Sequence, residues 1–144
     1  MKLSQAFGDT SSLRIKSFVL ANKTFKVRVP LSKEMEDMQA RIEQVDESKF
    51  QTRYEKAVKG LQGEEKDGDV YVDGRSTKEL VRTAMQVENR IVEMFRLLVP
   101  IEGNLDDLTY EQIEEEMPFT VQLEMIKGIQ EAIQPSYGDS RKNS

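Results

Sequence analysis

A chain of 144 residues, 38% hydrophobic and 33% charged, carries apolar material for one modest core, so a single domain is expected. It contains no histidine and no cysteine, which excludes imidazole and thiolate metal sites, Cys and His nucleophiles, Ser-His-Asp triads and disulfide scaffolds. A net charge of -5 argues against a nucleic-acid partner, because phosphate backbones are held by clustered Lys and Arg.

The residues before Leu13 are small, polar and without period, and are expected to form a flexible arm over 1–12. The domain proper is expected over 13–134. Leu13, Ile15 and Val19 alternate with Arg14, Lys16 and Phe18, and after Ala21-Asn22-Lys23 the residues Phe25, Val27 and Val29 alternate with Thr24, Lys26 and Arg28. That is strand periodicity on both arms of an antiparallel hairpin. A three-residue loop pairs Val19 with Phe25 and Ile15 with Val29, whereas an even loop sets Phe25 against Phe18 and Val27 against Lys16. The first register is the expected one, with Arg14, Lys16, Lys26 and Arg28 on a solvated outer face beside Phe18.

Pro30 cannot donate to a strand ladder and ends the hairpin, with Ser32 as the expected N-cap of a helix whose stripe is Met35, Met38, Ile42 and Val45. After a break at Asp46 to Ser48, a second helix follows through Phe50, Tyr54, Ala57, Val58 and Leu61. Residues 63–74 contain three of the eight glycines and two Asp-Gly pairs. They read as a mobile loop with a short strand at Val70 to Val72.

Ser76 and Glu79 have the spacing of a capping box and open the longest helix, expected to run to about Leu98 ahead of Pro100. Leu80, Ala84, Val87, Ile91, Met94 and Leu98 make one stripe, and Val81, Met85, Val92 and Phe95 a second beside it. Together they span an apolar arc wider than one core contact needs. Thr109 and Gln112 suggest a second capping box, for a short acidic helix. Pro118 stands at the N1 position of a last helix with the stripe Phe119, Leu123, Ile126, Ile129 and Ile133, which Pro135 ends. Residues 135–144 are expected to be a disordered tail. The fold class is therefore α+β, an N-terminal antiparallel β-hairpin packed on about five helices.

Sites of chemistry are few. An EF-hand loop opening at Asp67 would need an oxygen ligand at Tyr71, glycine at Val72 and glutamate at Lys78, and has none of them. Gly63 and Gly68 have the spacing of a phosphate loop, but Asp69-Val70 stands where Gly-Lys belongs. Glu114, Glu115 and Glu116 are consecutive on a helix and point about 100° apart, so they do not converge on a substrate. They belong to the segment 101–118, which has acids at Glu102, Asp106, Asp107, Glu111 and these three positions and no base. No enzyme, cofactor or metal is expected. Without catalytic chemistry the wide apolar arc points to a binding protein, with the interface expected at Met85, Val92, Met94, Phe95 and Leu98. Met35, Met38, Met117 and Met125 also lie on or beside helical stripes, where core filling is the commoner role.

Phe25-Lys-Val-Arg-Val-Pro-Leu-Ser32, Leu97-Leu-Val-Pro100, Asp107-Leu-Thr-Tyr-Glu-Gln-Ile113 and Pro135-Ser-Tyr-Gly-Asp-Ser-Arg-Lys-Asn143 resemble the tail assembly chaperones of long-tailed, non-contractile bacteriophages. The resemblance implies a non-enzymatic factor of the infected host cell's cytoplasm that binds the helical tape measure protein and is absent from the mature virion. It also implies a longer product, made by ribosomal frameshift, that recruits the tail tube protein. This chain would be the shorter, unshifted product. Arg141-Lys142-Asn143 can be encoded by CGA AAA AAC, which contains the slippery heptamer A AAA AAC. No nucleic acid and no membrane is expected as a partner, and a homo-oligomer stays open. The alternative is a structural or head-completion subunit retained in the virion.

Overall fold

A computed structural model describes residues 1–135. The tail residues 136–144, with Arg141-Lys142-Asn143, lie outside the described residues. The chain runs through α1 (Leu3–Phe7), a 3-10 turn (Ser11–Arg14), β1 (Ile15–Leu20), β2 (Lys23–Arg28), α2 (Ser32–Glu43) and α3 (Glu47–Val58). Then come β3 (Glu64–Lys66), β4 (Asp69–Val72), β5 (Arg75–Ser76), α4 (Thr77–Phe95), α5 (Tyr110–Glu116) and α6 (Phe119–Ile133). This is the expected α+β class, a hairpin set on helices. Within the expected arm, α1 has no buried residue.

The hairpin takes the even-loop register. Phe18 pairs with Phe25, Lys16 with Val27 and Leu20 with Lys23, so the expected pairing of Val19 with Phe25 is wrong by one residue. Ala21 and Asn22, at φ of 50° and 63°, make the two-residue turn whose twist matches the strands. A one-residue slip exchanges the faces. Phe18, Leu20, Phe25 and Val27 now point inward, with the Phe18 and Phe25 rings stacked at 5.4 Å, while Val19 is exposed. Phe25 faces inward in either register, and burying the Phe18 ring beside it outweighs exposing Val19, since aromatic side chains remove the largest area from water. Phe18 is thus not an outer-face residue. Arg14 and Arg28 converge on Glu34 of α2, Arg14 at 2.5 Å.

Helix α4 stops at Phe95, short of the expected Leu98, because the free edge of β2 captures the chain that follows. Arg28 N–H donates to Leu97 C=O at 2.8 Å, and Val99 N–H donates to Lys26 C=O at 2.9 Å. Val27, between them, is fully buried. The main core joins Val27 and Met38 to Ile91, Val92, Met94, Phe95 and Leu97 of the α4 region and to Ile113, Met125, Ile126 and Ile129. A smaller cluster of Val45, Phe50 and Met85 lies under α2 and α3.

Helix starts match expectation to within one residue. Ser76 and Thr109 accept from Glu79 N–H and Gln112 N–H as N-caps. Leu31 rather than Ser32 occupies the cap of α2, and Pro118 the cap of α6. The segment 63–74 is more than a loop with one strand: with Arg75 and Ser76 it forms a three-stranded meander, β3-β4-β5. Its two turns are Asp67-Gly68 and Asp73-Gly74, all four residues at positive φ.

Candidate functional site

The five residues expected at an interface lie inside the fold. Met85 belongs to the smaller cluster, Val92, Met94 and Phe95 to the main core, and Leu98 is half-buried against it. The wide arc of α4 is real, but its C-terminal half is enclosed by the hairpin, α5 and α6. Phe95 and Leu98 retain one outward aspect, as part of the floor of a groove of about 600 Å³.

Phe25, Leu105, Leu108 and Met117 complete most of the groove's apolar surface, and Asp107, Glu115 and Glu116 stand at its rim. No arginine or lysine lines it. Lys23 stands beside it, its ammonium 5.7 Å from the Phe25 ring centre. The acidic segment read from the sequence therefore forms one wall. The glutamate run divides: Glu115 and Glu116 line the groove, while the Arg53 pKa, raised chiefly by its hydrogen bond to Glu88, is raised slightly further by the charges of Glu111 and Glu114.

Polar contacts fix this wall. Arg96 donates to Leu108 C=O at 3.1 Å and to Glu93 at 3.0 Å, tying the 101–109 connection to α4. Glu93, buried, also takes two bonds from Arg41, at 2.8 and 3.0 Å. At the α5–α6 corner the Tyr110 hydroxyl donates to Gln122 at 2.9 Å, and Gln122 donates to Met117 C=O at 2.9 Å. Burial pushes the Tyr110 pKa up, so the hydroxyl stays a donor at neutral pH. Sequence reasoning missed Gln122 and Glu93, because a polar residue inside an apolar stripe gives no periodic signal.

A second apolar surface is the N-terminal half of α4, where Leu80, Ala84 and Val87 are exposed. These belong to the first of the two apolar stripes read from the sequence. Met35, Phe119 and Leu123, also on helical stripes, are exposed as well.

Asp69 is the one buried aspartate among the described residues. It accepts from Val70 N–H at 2.8 Å, from Lys78 N–H at 3.1 Å and from the Ser76 hydroxyl. Burial pushes its pKa up, but these bonds outweigh it and hold the carboxyl below its ordinary value. Through its bonds to Ser76 and the Lys78 N–H it serves as a helix-start clamp, with Tyr54 of α3 also in hydrogen-bond contact. Among the described residues no group of three Asp or Glu side chains is placed to hold a metal ion, and no helix is long and apolar enough to cross a membrane. No protein-family model, curated protein or solved structure matches this chain.

Proposed function

We propose that this chain is a tail assembly chaperone that holds the helical tape measure protein in solution while the tail tube is built around it. The observation that carries the reading is the groove with an apolar floor and an acidic rim. An extended client helix exposes apolar faces that aggregate in water, and a groove of this kind covers one face through reversible helix-in-groove contact. The carboxylates of Asp107, Glu115 and Glu116 favour clients whose polar flanks carry Lys and Arg, and make binding weaken as salt rises. The sequence resemblance supplies the identity of the client. Recruitment of the tail tube protein by a longer, frameshifted product belongs to the same proposal.

Co-expression with the tape measure protein tests it. The wild-type chain is expected to keep the tape measure protein in the soluble fraction and to co-purify with it. Leu105→Asp, on a half-buried groove residue, is expected to fold normally and lose both effects. Equal tape measure solubility with and without the chain would refute the proposal. So would finding the chain in purified virions at fixed copy number, the mark of a structural subunit.

A further inference from the structure

The N-terminal half of α4 presents an apolar seam with a charge at each end. Leu80 is 52% exposed and Val87 39%, with exposed Ala84 between them. At 100° per residue the three fall within a sector of about 60°. Met85 and Val92 lie some 110–130° round the helix from this sector and enter the two cores, and Ile91, one turn beyond Val87 on the same side, is buried, so the free seam ends at Val87.

The charged residues of α4 sort into two groups. Lys78 lies over the Tyr54 ring, Arg82 pairs with Glu47, Glu88 with Arg53, and Glu93 with Arg41 and Arg96. Glu79 and Arg90 are exposed, and among the described residues neither joins an ion pair. They are eleven residues apart, about three turns, so they share one edge of the Leu80-Ala84-Val87 stripe some 16 Å apart along the axis.

That arrangement is self-complementary in one orientation only. A second α4 laid antiparallel, with the two-fold axis between positions 84 and 85, sets Glu79 opposite the partner's Arg90 and Arg90 opposite the partner's Glu79. The same axis brings the two Ala84 residues together, where small side chains let the backbones approach, and interleaves Leu80 with the partner's Val87. Parallel packing would put this charged edge on opposite sides of the contact in the two copies, so neither pair could form. We propose that α4 is the contact of a two-fold homodimer, with Leu80, Ala84 and Val87 as its seam and reciprocal Glu79–Arg90 pairs fixing its register.

Sedimentation equilibrium of the full chain over a concentration series tests this. Wild type is expected to show a monomer–dimer equilibrium. Glu79→Arg alone and Arg90→Glu alone, each placing like charges opposite, should weaken it by about tenfold. The double variant Glu79→Arg/Arg90→Glu should restore it. Both positions are on the surface, and an unchanged circular dichroism spectrum establishes that each variant is folded. A strictly monomeric wild type, assembly beyond a dimer, single reversals without effect, or a double variant no tighter than the singles would each overturn the proposal.

Discussion

Phe18 lies where a side chain at position 128 would begin. A Cβ built on Gly128 falls 2.5 Å from two carbons of the Phe18 ring, so the hairpin approaches α6 through the absence of that atom. An alanine in a helix interior normally gains up to about 1 kcal/mol over glycine. Here the ring is stacked on Phe25 and has little freedom to retreat, and overpacking of this kind costs about 1–3 kcal/mol. Gly128→Ala is therefore expected to destabilise the domain by about 1–2 kcal/mol in urea unfolding. Adding Phe18→Leu, which makes room, should cancel part of the alanine's cost in a double-mutant cycle.

The meander offers a contrast between residues close in sequence. Glu64, Glu65 and Lys66 are exposed, whereas Asp69 is buried and holds the start of α4. Asp69→Ala leaves the Lys78 N–H and the Ser76 hydroxyl without their acceptor, at an expected cost of about 2 kcal/mol. Alanine at Glu64 or Glu65 should cost under about 0.5 kcal/mol. Thermal unfolding of the three variants side by side checks the difference.

Much of this architecture is legible in the sequence because it rests on local chemistry. Ser76, Thr109 and the two Asp-Gly turns announce themselves, since a cap or a positive-φ turn depends on a few adjacent residues. The hairpin register does not, because both registers give an amphipathic ribbon. The choice depends on Gly128, more than a hundred residues away, leaving space for Phe18. The candidate site shows the same limit. Periodicity finds the wide arc on α4, but which part is covered depends on where the hairpin, α5 and α6 land. The covered part includes Phe95 and Leu98; the free part is Leu80, Ala84 and Val87.

Glu34 makes the junction of hairpin and α2 sensitive to acid. Its hydrogen bond from Arg28, with a further one from Arg14, holds the carboxyl below its ordinary value of 4.5 despite partial burial. A carboxyl that binds protons less readily in the folded state stabilises the fold above its unfolded pKa. That contribution disappears as pH falls through the folded value. Stability is thus expected to drop below about pH 4.5, and Glu34→Gln should be less stable than wild type at pH 7 with a shallower decline between about pH 5 and pH 3. Urea midpoints across that range measure both slopes; parallel slopes would show that Glu34 does not carry the acid sensitivity.

Phe95→Asp separates core from surface on α4. Phe95 is 5% exposed and packed within the main core, whereas Leu80, four turns earlier on the same helix, is 52% exposed. An aspartate at position 95 must either bury a charge or take up a proton, and it also removes a large apolar side chain, so the cost should exceed about 4 kcal/mol. That is a large share of the roughly 5–15 kcal/mol that holds a domain folded. The variant is expected to lose its cooperative thermal transition, while Leu80→Asp keeps a melting temperature within about 3 °C of wild type. Should Phe95→Asp remain folded and cooperative, the C-terminal half of α4 would be free surface rather than core, and the packing of the hairpin and α6 against it would be wrong.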